Sequence, residues 1–129
     1  MNTEFPVLTS FGTVLLFAQA LEARAAALAT AGDLQKAARL HDKRVKRLEL
    51  LRKERLNEVV LQPVAGLDRA EYLPPEGAVG AAGLASLEAI ITRFYRDALV
   101  RAVDVLGGLE RTFERFARES EELAASLRS

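Results

Sequence analysis

Ala18-Gln19-Ala20-Leu21-Glu22-Ala23 and, far along the chain, Leu84-Ala85-Ser86-Leu87-Glu88-Ala89 are the stretches whose reading decides the fold. Each sets one glutamate inside an apolar stripe that recurs at three- and four-residue steps, the period of a helix with a buried face. Both glutamates lie in the same local string, Leu-Glu-Ala. An ionised carboxylate is not left in an apolar core without a partner, so Glu22 and Glu88 mark the place where chemistry is expected.

Working outward from Glu22, the residues Val7, Phe11, Val14, Leu15, Ala18, Leu21, Ala25 and Leu28 predict a helix over about 6–30, with Pro6 in its first turn and Gly32 past its end. A second helix is predicted over about 33–61, with Asp33 as N-cap, Pro63 as the stop, and an inward stripe of Leu34, Ala37, Ala38, His41, Val45, Leu48 and Leu51. Around Glu88, the residues Leu84, Leu87, Ile91, Phe94, Ala98 and Ala102 predict a third over about 83–106, broken by Gly107-Gly108. Leu109, Phe113, Phe116, Ala117, Leu123 and Leu127 carry a fourth over about 109–127. The 129 residues fit one all-α domain, 1–129, and four helices of similar length fold most simply as a four-helix bundle.

Short links at Gly32 and at Gly107-Gly108 predict two antiparallel hairpins. Between them the connection 62–82, with Pro63, Gly66, Pro74, Pro75, Gly77 and Gly80, is longer than a bundle turn needs. A connection of that length predicts one crossover between helices two and three. Its apolar residues Val64, Leu67, Tyr72 and Leu73 are expected on the outside of the bundle or on a second subunit.

Composition excludes several classes. Cysteine is absent, which removes disulfides, thiolate chemistry and cysteine-based zinc sites, and the formal net charge is zero. The apolar run Val14-Leu15-Leu16-Phe17-Ala18 falls short of the ~20 residues of a membrane span, so no membrane contact is expected and the location is read as cytoplasmic. There is no nucleophilic triad, no phosphate-cradling glycine loop and a single histidine, which leaves little for acid-base catalysis. No catalytic residue is assigned.

Turning about 100° per residue puts Glu22 in line with Phe11 and Ala18, Glu88 in line with Tyr95, and His41 in line with Leu34 and Arg52. Ser120 takes the equivalent place on the fourth helix. Glu22, Glu88 and His41 are therefore the candidate metal ligands, and Tyr95, Arg52 and Ser120 the supporting polar core. If the glutamates are buried without metal, glutamine in place of either is expected to cost little.

Taken together, Phe17-Ala18, Leu21-Glu22 and Ala25-Ala26, then His41-Asp42-Lys43-Arg44, then Leu87-Glu88 and Phe94-Tyr95, with the long middle connection, resemble the ferritin-like, rubrerythrin-related bundles. The resemblance implies a di-iron centre held by a glutamate from helices one and three and a Glu-x-x-His from helices two and four. Glu22 and Glu88 match the single glutamates and His41 the histidine of helix two. Ala38 stands at the glutamate position of that motif, and Ser120 and Leu123 stand at the helix-four positions unless the register shifts to Glu119 and Glu122. The resemblance thus implies a degenerate site. No cofactor is expected, with a structural or interaction role; the alternative is a single divalent ion of iron, manganese or zinc on Glu22, Glu88 and His41.

From Lys36 to Arg55, nine basic residues face three acidic ones. Lys43, Arg44, Lys46 and Arg47 are accordingly candidates for phosphate contact, although no interleaved aromatics accompany them and nucleic acid is an unlikely partner. Leu16, Phe17, Leu50, Val60 and Val103 lie off the core stripes and point to a homodimer.

Overall fold

The computed structural model describes residues 5–54, 62–102 and 108–128. Within them the chain is all-helical: α1 (Phe11–Ala31), α2 (Gln35–Glu54), a 3₁₀ turn at Arg69–Tyr72, α3 (Gly80–Arg101) and α4 (Glu110–Arg128). No strand forms among the described residues, where the sole β pairing is an isolated bridge between Ser10 and Pro63. The helices pack as a bundle around one core, with α1 against α2 and α3, and α3 against α4.

Local chemistry sets the ends, and several differ from the expected ones. The first helix starts at Phe11 rather than near Pro6 because Ser10 and Thr13 cap each other: the Thr13 N–H donates to Ser10 Oγ at 3.2 Å and the Ser10 N–H to Thr13 Oγ1 at 3.0 Å. Val7, expected in the stripe, lies outside the helix and is exposed. Asp33 is not an N-cap. It adopts φ 58° and closes α1, with the Asp33 N–H on Thr30 O and the Leu34 N–H on Ala29 O, the paired bonds of a Schellman ending. A short polar side chain tolerates that left-handed backbone, which frees Gly32 from the role. The third helix begins at Gly80 rather than 83. The expected continuation of α2 through 55–61, the Gly107 break, Val60 and Val103 lie outside the described residues.

The connection packs inward. Val64, Leu67 and Tyr72 are buried in the main core, and only Leu73 of the expected outer set is exposed. Residues 62–64 lie against the start of α1, through the Phe11 N–H on Gln62 O at 2.9 Å and the Val64 N–H on Thr9 O at 3.1 Å. Tyr72 donates to Asp97 near the C-terminal end of α3. At the opposite end, Gly80 lies against Gly32, where an added Cβ would stand 3.5 Å from the Gly80 Cα.

Phe17, expected outside the core, is fully buried. Its ring stacks on Phe94 at 5.2 Å and meets Phe5 at 5.1 Å and Tyr72 at 6.4 Å. The run continues through Tyr95 to Phe113 and Phe116. Residues 5 and 72, from outside the four helices, supply the rings that give Phe17 an interior, each pair adding about 0.5–1.5 kcal/mol beyond area burial.

By length and composition α1 could cross a membrane, since its alanines extend the Val14–Ala18 run. In the bundle it is the helix shared by α2 and α3, with ten buried residues including Glu22.

Candidate functional site

Glu22 on α1, His41 and Arg44 on α2, Glu88 and Tyr95 on α3 and Ser120 on α4 meet in the bundle centre, none more than 2% exposed. The helical period brings them there: each lies one or two turns from buried apolar neighbours such as Ala18, Leu48, Leu84 and Ala117.

His41 sits between the two glutamates. Its Nδ1 bonds Glu22 Oε1 and its Nε2 bonds Glu88 Oε2. An ionised carboxylate only accepts, so a ring held between two of them donates from both nitrogens, as an imidazolium. Burial alone would drive the proton off, but the bonds to Glu22 and Glu88 outweigh it and raise the His41 pKa from 6.5 to about 9. Burial also pushes the Glu22 carboxyl up, yet the His41 bond, the Arg44 charge and the Tyr95 hydroxyl together hold it below its ordinary 4.5.

The second oxygen of Glu22 takes two more donors, Tyr95 Oη at 2.6 Å and Arg44 Nη1 at 3.2 Å. Burial and the Glu22 charge lift the Tyr95 phenol well above its ordinary range, so it stays a donor. Arg44 ties α2 to α4: Nη1 donates to Ser120 Oγ at 2.8 Å, Nη2 to Phe116 O at 3.0 Å and to Glu119 Oε1 at 3.1 Å. Its guanidinium also lies over the Phe116 ring, 4.6 Å from the centroid. Two carboxylates thus balance two buried cations, the arrangement low-dielectric burial requires. Glu88 Oε1 is buried without a hydrogen-bond partner among the described residues.

Arg44 is the residue that sequence reasoning put in the wrong place. Expected on a phosphate-facing surface, it is 2% exposed and occupies the inward line in place of Val45, which is half-buried. The buried positions of α2 run Ala37, His41, Arg44, Leu48, Leu51, an unbroken alternation of three- and four-residue steps that passes through Arg44. Charge balance was the second signal, because two inward glutamates need more than one histidine to neutralise them. Lys43, Lys46 and Arg47 are exposed. Arg52 is half-buried and makes none of the network's bonds among the described residues. Tyr95 reaches across to Glu22 rather than along its own helix to Glu88.

The donor set does not fit the di-iron centre the resemblance implies. Ala38 and Leu123 carry no donor atom in their side chains, Ser120 and Glu119 are engaged by Arg44, and a guanidinium already sits on Glu22. A single ion on Glu22, Glu88 and His41 fits no better as the side chains stand. The imidazole separates the carboxylates, and no three such groups among the described residues converge on one point. Compared with protein-family models, curated proteins and solved structures, the chain matches none of them.

Proposed function

We propose that this chain is a ferritin-like bundle whose centre is a self-neutralised ion network, and that it serves as a structural or interaction module rather than an oxidase. One observation carries the reading: both His41 nitrogens are spent on carboxylates while Arg44 takes the remaining Glu22 oxygen. The cationic places of a metal centre are filled by protein groups that lock all four helices to one another.

The path of the connection supports the single-crossover topology. Residues 62–64 lie at the start of α1 and Gly80 at its far end, so the segment between them travels the length of the bundle. With α1 and α2 joined by the tight Asp33 turn, α3 then runs in the same sense as α2 and antiparallel to α1, against which it packs. The homodimer rests on Leu16 and Leu50, which are 39% and 47% exposed, and a monomeric mass in light scattering would remove it.

Metal analysis of protein purified without chelators, then loaded anaerobically with iron, manganese and zinc, tests the proposal. The expected result is no stoichiometric metal and no rise in Tm on loading. Stoichiometric metal that is lost in a Glu22→Ala, Glu88→Ala double variant would instead establish the mononuclear alternative, which the unpartnered Glu88 Oε1 favours. In that case His41 must shed its proton and release one carboxylate, and metal uptake would fall steeply with decreasing pH.

A further inference from the structure

A cleft of about 370 Å³ opens between α2 and α4, lined by Leu40, Lys43, Arg44, Arg47, Arg115, Phe116 and Glu119. Lys43 and Arg47 are four residues apart on one face of α2, where like charges repel unless an anion lies between them. Neither has an ion pair among the described residues. Arg115 faces them from α4, its guanidinium 5.4 Å from the Phe116 centroid. Arg44 lines the cleft from within the core, with its Nε buried and without a partner among the described residues.

The charge balance defines the ligand. Arg44 is matched by Glu22, which leaves Lys43, Arg47 and Arg115 against Glu119, a surplus of two positive charges on the lining. Leu40 and Phe116 add an apolar wall beside the cations. Guanidinium groups bind phosphate oxygens through paired donors, a surplus of two positive charges matches a dianion, and the volume suits a small organic molecule.

We propose that this cleft binds a phosphate monoester carrying an apolar group, the dianionic head between Lys43, Arg47 and Arg115 and the apolar part on Leu40 and Phe116. The inference stands on the cleft alone, whatever the fate of the core network's assigned role.

Calorimetric titration with phenyl phosphate at low ionic strength tests it, with inorganic phosphate and benzoate as comparison ligands. Phenyl phosphate is expected to bind tighter than either, since one lacks the apolar group and the other the second charge. Lys43→Gln and Arg47→Gln, at exposed positions that leave the fold intact by circular dichroism, should each weaken binding about tenfold, the loss of a charge-assisted contact. Glu119→Gln should tighten it by removing a competing anion, and Lys46→Gln, outside the lining, should leave it unchanged. No binding at millimolar phenyl phosphate, equal binding of inorganic phosphate or benzoate, or insensitivity to Lys43 and Arg47 would each overturn the proposal. So would binding of a short oligonucleotide that depends equally on Lys46, which would mark a polyanion surface instead.

Discussion

The bundle holds two interiors that meet at Tyr95. On one side Phe5, Phe17, Tyr72 and Phe94 interlock through ring contacts, and on the other Glu22, His41, Arg44 and Glu88 interlock through charge. Tyr95 belongs to both, its ring 5.7 Å from Phe94 and its hydroxyl on Glu22. The ring contacts of the aromatic side are indifferent to pH, because dispersion and apolar burial have no proton to lose. The charged side is all or nothing, because removing one member strands its partners in a low dielectric.

Glu22→Gln is expected to break that balance most severely. It leaves the imidazolium on Glu88 alone and the guanidinium on the half-buried Glu119 alone, at a cost on the order of 3–5 kcal/mol in urea unfolding near pH 6. The bare sequence pointed the other way, towards a small cost, because it did not show two cations on that carboxylate. Arg44→Met in the same chain should recover part of the loss, and a double-mutant cycle with no coupling would argue against the network.

Phe94→Ala should cost nearly as much, about 3–5 kcal/mol, but equally at pH 6 and pH 9. A pH-dependent loss there would dissolve the distinction between the two interiors.

The wild-type pH profile comes next in size. The His41 pKa is raised from 6.5 to about 9 on folding, so its contribution is fully present below about 6.5 and is lost as pH rises through 9, by about 3 kcal/mol. Glu22 is lowered below 4.5, so its contribution is present above that value and is lost as pH falls below it. Stability should therefore peak near pH 5–6, and a nitrogen-detected NMR titration of His41 that midpoints near 6.5 would contradict the imidazolium. Smaller again, Tyr95→Phe should cost about 1 kcal/mol, the worth of one hydrogen bond, while keeping the ring contacts. Smallest of all, Lys53→Ala removes the exposed pair with Glu49 and should change stability by no more than about 0.5 kcal/mol.

The charged interior was more legible than the aromatic one. Helical period alone put Glu22, His41, Glu88 and Ser120 on inward faces, where all four are fully buried. The same period put Phe17 outside, since on an isolated helix it does lie off the stripe. Its burial depends on Phe5 and Tyr72, contributed by segments with no period to read. Capping was readable in principle: Ser10 and Thr13 stand at the right spacing, but Pro6 gave a competing start.

By itself the sequence determined four helices and the placing of two carboxylates and an imidazole on their buried faces, because those follow from spacing along one chain. Which group neutralises which was decided only in three dimensions. Arg44 stands on the inward alternation that Lys43 and Arg47 miss, but only the approach of α1 and α4, bringing Glu22, Ser120 and Glu119 within reach, makes burial of its charge cheaper than its solvation. The same approach leaves Lys43 and Arg47 at the mouth of a cleft, facing Arg115 across it.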